Sequence, residues 1–250
     1  MTTARTLIAS FFLLLLVSAL GSVQAQSVTD VRDVDAFTRL HMKSVGDVTL
    51  TQGDERRVEI IAPNQEIIDK IRTQVRGDRL VIETDVDNDS RGFMDWLFGG
   101  DDTFDGDDLE FRITMTDIRE IRIDGTGDIE GTTPIEADQL DIRISGTGDA
   151  DFDLNVNTLT TRISGTGDAE LQGIARSHDI SVSGTGDVEA GDLETEQVKV
   201  RASGTGDCTV YVTGTLDASV SGLGDIRFRG NPSEVSTSAS GLGSIEPYDD

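Results

Sequence analysis

Ser145-Gly-Thr-Gly-Asp-Ala150 recurs as Ser164-Gly-Thr-Gly-Asp-Ala169, Ser183-Gly-Thr-Gly-Asp-Val188 and Ser203-Gly-Thr-Gly-Asp-Cys208, and the reading of these stretches decides the fold. Asp124-Gly-Thr-Gly-Asp-Ile129 precedes them, and Ser221-Gly-Leu-Gly-Asp-Ile226 and Ser240-Gly-Leu-Gly-Ser-Ile245 follow, seven copies in all. The first glycines, at 125, 146, 165, 184, 204, 222 and 241, lie 18 to 21 residues apart, and the variation falls between motifs, never inside one. Self-similarity at such a period is the signature of a stacked repeat, in which each unit buries its apolar face against the next.

The stretches entering each motif alternate apolar and polar residues: Leu140, Ile142 and Ile144; Leu159, Thr161 and Ile163; Val198, Val200 and Ala202; Leu216, Ala218 and Val220. A period of two means strand, with this set facing inward. The pattern resumes after each motif, as in Ala150, Phe152 and Leu154, so two short strands flank every corner. The residues just before the motif Ser and just after its Asp, from Ile123 and Ile129 to Ala239 and Ile245, are expected to stack as interior columns. Cys208 falls in one of them and reads as a buried, inert thiol. Identical corners in register favour an all-β, parallel β-helix (β-solenoid) over residues 109–250, with coils ~4.8 Å apart. An antiparallel meander is the competitor, but its equivalent turns would lie ~9.5 Å apart, with less reason to be identical.

The chain ends of this repeat are read differently. Arg5, the apolar run Leu7 to Val17 and the small residues up to Ala25 predict a secretory signal peptide over 1–25, too short in its apolar core to span a membrane. Cleavage there would leave 20 basic and 47 acidic residues, a formal charge of −27, and a chain with no membrane span. Such a charge repels nucleic acid, anionic lipid and acidic polysaccharide, so nucleic acid is excluded as a partner. With one cysteine, an exported chain has no internal disulfide and must rely on packing and backbone hydrogen bonds.

Residues 26–85 read as a β-rich capping segment, with strands expected at Val45 to Thr51, Arg57 to Ile61 and Leu80 to Thr84. Ser44-Val-Gly-Asp-Val48 within it looks like a degenerate precursor of the motif. Asn64 is placed to cap one short helix carrying Ile67, Ile68, Ile71 and Val75 and ending near Gly77. Residues 86–108 form an acidic, aromatic-containing loop in which Phe93, Trp96 and Phe98 are candidate partner-docking residues.

The opening Val34-Asp-Ala-Phe37, the turn Thr51-Gln-Gly-Asp54 and the later Ser-Gly-Thr-Gly-Asp repeats resemble the family of autotransporter adhesin head domains, also called GIN domains. The resemblance runs from roughly residue 30 to 245. It implies a right-handed β-helical fold in exported bacterial proteins and an adhesin-like role. The chain departs from an autotransporter in that no translocating barrel follows the repeats.

The glycines are expected to permit positive φ and close approach between coils, and the motif Asp to close its turn on neighbouring backbone N–H groups. A sharper reading takes Asp128, Asp149, Asp168, Asp187, Asp207 and Asp225 as a column of carboxylates whose repulsion, ~1 kcal/mol per neighbour in water, a weakly bound Ca²⁺ would relieve. Arg122, Arg143, Arg162 and Arg201, with Asp141 and Asp179, read as a solvated outer face. Two histidines, His41 and His178, in unrelated contexts give little material for a triad or a zinc site, and no catalytic or cofactor-binding residue is assigned. The sequence thus predicts a non-catalytic, exported binding or structural module, periplasmic or extracellular, whose partner is a protein or glycan of the envelope or exterior. A β-helical polysaccharide-processing enzyme and a calcium-stabilised envelope scaffold are the alternatives, and self-association as a homo-oligomer is a further expectation.

Overall fold

The computed structural model describes residues 27–84 and 109–248. The expected leader 1–25 and the docking aromatics Phe93, Trp96 and Phe98 lie outside the described residues. The chain runs β1 (Val28–Arg32), β2 (Arg39–Lys43), β3 (Asp47–Gln52), β4 (Arg57–Ala62), α1 (Gln65–Lys70), β5 (Ile71–Arg76), β6 (Arg79–Thr84), β7 (Glu110–Met115), β8 (Glu120–Ile123) and β9 (Ile129–Gly131). It continues through β10 (Ile135–Ile144), β11 (Ala150–Ile163), β12 (Ala169–Val182), β13 (Val188–Ala202), β14 (Cys208–Val220), β15 (Ile226–Arg229), β16 (Glu234–Ala239) and β17 (Ile245–Pro247).

Among β8 to β17 themselves every pairing is parallel and joins residues one repeat apart, so the fold is a parallel β-solenoid and not a meander. Ahead of the corners Ile123, Ile144, Ile163, Val182, Ala202, Val220 and Ala239 stand opposite one another in succession. Behind them Ile129, Ala150, Ala169, Val188, Cys208, Ile226 and Ile245 do the same. These are the interior columns that the alternation demands, and each member up to Ile226 is buried except at the open end. Burial of one such aliphatic side chain contributes about 1.5–3 kcal/mol, and the parallel register repeats it at every coil.

The long strands each contain a second bend. Ladder pairing skips Asp138, Asn157, Arg176 and Glu196, and the inward phase resets there: Val156 is buried, Asn157 and Thr158 are exposed, and Leu159 is buried again. The extra outward residue turns the strand back on itself, so two sheet faces close on one core.

The N-terminal segment belongs to this stack. β2, the corner 44–47 and β3 make a coil, with β2 paired in parallel to β8 and β3 to β9. On the other edge of that coil β2 pairs with β6 and β3 with β7. Chain order and stack order therefore differ: the first coil lies inside the second. β6 and β7 lie on the two sides of the outer coil. Glu120 fastens this arrangement. It is 8% exposed, on β8, and both its carboxylate oxygens accept from Arg79 on β6, at 2.9 and 2.8 Å, across the intervening β2.

Beyond the outer coil β4 pairs antiparallel with β7, β1 pairs antiparallel with β4, and α1 and the β5–β6 hairpin complete the cover. The helix is shorter than the sequence suggests. Asn64 caps it, its side-chain oxygen accepting from the Ile67 N–H at 3.1 Å, but it ends at Lys70. Ile71 and Val75 sit instead on a strand, because Ile71, Thr73 and Val75 also satisfy a period of two and can pair with Thr84, Ile82 and Leu80 of β6. Gly77, at φ +70°, makes the hairpin turn.

The corner glycines are required by proximity. A Cβ on Gly165 would lie 2.0 Å from the Gly146 carbonyl oxygen, and one on Gly167 would lie 1.9 Å from that of Gly148. Positive φ, expected throughout, occurs in the full motifs only at Gly127 and Gly148. Elsewhere the constraint is the backbone of the preceding coil alone. Gly165→Ala is accordingly expected to force the coils apart and to lower unfolding free energy by about 1–3 kcal/mol or more, read as a lower urea midpoint.

Candidate functional site: the ladder of corners

The motif Asp does not bond its own turn. Its carboxylate reaches the next coil, where it accepts the backbone N–H of the equivalent Asp. Asp149 donates to Asp128 Oδ1 at 2.8 Å, Asp168 to Asp149 at 2.8 Å, Asp187 to Asp168 at 2.7 Å, Asp207 to Asp187 at 2.7 Å and Asp225 to Asp207 at 2.7 Å. Asp47, in the degenerate corner, starts the row by accepting from Asp128 at 2.9 Å. Ser244 ends it, giving both its N–H, at 2.7 Å, and its hydroxyl, at 2.9 Å, to Asp225 Oδ1. Those two bonds hold the Asp225 carboxyl below the ordinary carboxylate range.

The column of six acids expected from the sequence is therefore present, with Asp47 as an additional member that Gly46-Asp47 already signalled. A hydrogen bond to a charged acceptor contributes about 1.5–3 kcal/mol at best, less at an exposed site, against ~1 kcal/mol of repulsion between neighbours in water. The ladder thus offsets the repulsion that the Ca²⁺ expectation was meant to relieve. Among the described residues no three Asp, Glu, His or Cys side chains converge so as to hold a metal ion.

Beside the acid row, the Ser, Gly and Thr residues of successive corners line a shallow groove of about 1000 Å³ running from Ser145 to Leu242. Their backbones are knitted coil to coil: Ser164 N donates to Ile144 O at 2.9 Å, and Thr166 N to Gly146 O at 3.1 Å, a pattern repeated to Leu242. The middle column offers hydroxyls at Thr147, Thr166, Thr185 and Thr205, the first two 3.1 Å apart. At its C-terminal end the same column becomes Leu223 and Leu242, which are 59% and 87% exposed. The sequence displayed this change as Thr giving way to Leu, but only the stack shows that both leucines face solvent on one side.

Cys208, His178 and His41 are held by burial or by pairing. Burial pushes the Cys208 thiol up to about 12, with Asp187, Asp207 and Glu189 adding to the effect, so no thiolate forms at neutral pH. His178 lies in the core with Nε2 2.9 Å from the Thr161 hydroxyl, and burial depresses it to about 3. His41 Nε2 is 2.7 Å from Asp124, which also accepts from Arg122 Nε at 3.0 Å. Burial keeps this imidazole neutral more readily than usual, outweighing the pull of Asp124. For Asp124 itself burial works upward, but the bonds from Arg122 and His41 prevail and the carboxyl sits low. The Arg and Asp side chains of the outer face pair as expected of a solvated surface, Arg143 with Asp141 at 2.6 Å and Arg201 with Asp179 at 3.2 Å.

Two measurements follow. Asp187→Ala strips the Asp207 N–H of its acceptor and is expected to cost about 1 kcal/mol in urea unfolding, whereas Asp187→Asn keeps an acceptor and is expected to stay near wild type. His178 is neutral in the folded chain and protonates on unfolding below pH 6.5, so its contribution to stability is complete above that pH and falls as acid is added toward 3. Between pH 6.5 and 5 the wild type should lose stability relative to Thr161→Val/His178→Leu, which lacks the proton uptake; parallel pH dependences would contradict this.

The fold has close relatives among solved structures. A crystal structure of a "putative adhesin" from Bacteroides fragilis superposes with TM-score 0.80 at 26% identity, covering 90% of this chain and 98% of that one. One of a "putative lipid binding protein" from Parabacteroides distasonis gives 0.66 at 20% identity, covering 89% and 97%. A "putative adhesin" from Parabacteroides merdae gives 0.63 at 20% identity, covering 90% and 97%. No curated protein shows significant similarity to the chain. The model of the family described as "Putative auto-transporter adhesin, head GIN domain" matches residues 36–232, from the buried start of the first coil to the loop before β16, and the chain belongs to that family.

Proposed function

We propose that the chain is an exported, non-catalytic, adhesin-like binding module of the bacterial cell envelope that holds an extended protein or glycan along its row of corners. The observation that carries this reading is the register of the groove. The Ser and Gly groups recur at every coil from Ser145 to Gly241 and the Thr hydroxyl at the first four, so a polymer with a regular repeat can engage several of them at once, and many weak contacts add. The formal charge of −26 selects against acidic polymers and favours neutral or basic ones. The family name and the adhesin-named neighbours agree with such a role. Phe93, Trp96 and Phe98 are assigned to the same function as a second, aromatic contact on composition alone.

The reading is tested by presenting the purified chain to neutral, basic and acidic polysaccharides and to envelope proteins, alongside Thr166→Val/Thr185→Val and Trp96→Ala. Capture of a neutral or basic polymer, weakened about thirtyfold by loss of the two hydroxyls at ~1 kcal/mol each, is the expected result. Shortening of a bound polysaccharide would transfer the chain to the enzyme reading. Capture unaffected by both variants would remove the groove and the aromatics from the function.

A further inference from the structure

The largest break in register among the long strands lies just past the acid row. β12 and β13 run in step as far as Glu170 and Glu189, after which Ala190 and Gly191 together stand against Leu171. Against β14 the surplus is greater: Ala190 pairs with Val210 and Glu194 already with Tyr211, so Gly191, Asp192 and Leu193 have no opposite. Bulges re-aim side chains and gather beside binding sites. Here two side chains from later coils lean back over the bulge. Arg229 reaches Asp192 at 2.6 Å, with its guanidinium 4.9 Å from the centre of the Tyr211 ring. Tyr248 gives its N–H to Phe228 O at 3.0 Å and brings its hydroxyl so near Gly191 that a Cβ there would lie 2.6 Å from it. The φ of Gly191 is not positive, so this glycine provides space and not a special backbone conformation.

Bulge, guanidinium and ring border a pocket of about 500 Å³, within the range of small-molecule sites, about 300–1,000 Å³. Glu170 and Glu189 stand side by side in it, and among the described residues neither makes an ion pair. The guanidinium groups beside them are already engaged, Arg229 by Asp192 at 2.6 Å and Arg227 by Asp207 at 3.3 Å. The uncompensated charge of the pocket is therefore negative. Gln172 and Thr209 add an amide and a hydroxyl, both able to bond the hydroxyl groups of a ligand. The Tyr248 ring adds a flat apolar face that also attracts cations.

We propose that this pocket binds a saccharide carrying a free amine, a hexosamine unit whose ammonium group lies between Glu170 and Glu189, whose hydroxyls meet Gln172 and Thr209, and whose ring rests on Tyr248. A neutral sugar would leave the two carboxylates facing each other without a counter-charge, and an acidic one would be repelled. A lysine side chain would answer the carboxylates but leave the amide and the hydroxyl unused and most of the volume empty. The site lies apart from the row of corners and does not rest on the groove reading. Asp151 stands against Glu170, and Glu130 against Asp151, so further amine-bearing units of a longer chain would meet a carboxylate at successive coils.

Titration of the purified chain with the glucosamine disaccharide, followed by amide NMR shifts, is expected to move Gln172, Gly191 and Thr209 and to give a Kd on the order of 1 mM. Its N-acetylated form and cellobiose should each bind at least tenfold more weakly. Glu170→Gln/Glu189→Gln, at two exposed positions, should melt like the wild type and lose the preference for the amine. Tyr248→Ala should weaken binding of the glucosamine disaccharide, and Thr166→Val/Thr185→Val should leave it unchanged, which separates this pocket from the groove. No preference for the free amine, a preference that survives the double glutamine substitution, or equal loss in the threonine variant would each overturn the proposal. So would trilysine binding as tightly as the amino disaccharide.

Discussion

The separation between successive coils is set where two backbones meet at glycine. The first and second glycines of each motif face the carbonyl oxygens of their counterparts one coil back, at distances that leave no space for a Cβ. Because that contact is made at every corner, the coils can stack only with their motifs in register. Everything else follows from this register: the apolar columns align, the long strands pair in parallel on both sides of each corner, and the same polar group reappears at the same place on successive levels.

Register converts a side chain that is ordinary in one turn into a cooperative device when repeated. The motif Asp is the clearest case. In an isolated turn it would bond its own backbone; in the stack its carboxylate satisfies the N–H of the next Asp, and the next Asp does the same in turn. The row needs a beginning and an end, and the chain supplies both, Asp47 in the degenerate corner and Ser244 in the last. The same repetition spreads any binding chemistry along an axis. Cys208 and His178 lie deep in the core, and His41 is paired with Asp124.

The N-terminal part shows what repetition does not govern. Its coil from 39 to 52 lies inside the later coil built from β6 and β7, and a buried carboxylate, Glu120, is bound through both oxygens by Arg79 across the strand between them. A charge buried in this way is strongly destabilising if left alone, so the pair discriminates this stacking order from one in which the coils follow the sequence. The cover of antiparallel strands and one short helix then closes an end that would otherwise expose apolar columns.

The sequence by itself determined the repeat, the inward columns, the parallel stacking and the acid row, because each depends on spacing at a fixed period and the spacing is written in the residues from 124 to 245. Tertiary structure alone decided three things. Ile71 and Val75 suit a helix or a strand equally by local pattern, and the free edge of β6 made them a strand. The partner of each motif Asp lies some 20 residues away in the chain, where local turn chemistry does not reach. Which coil lies outside which at the N-terminal end depends on contacts between strands far apart in sequence, and no pattern within one repeat encodes it.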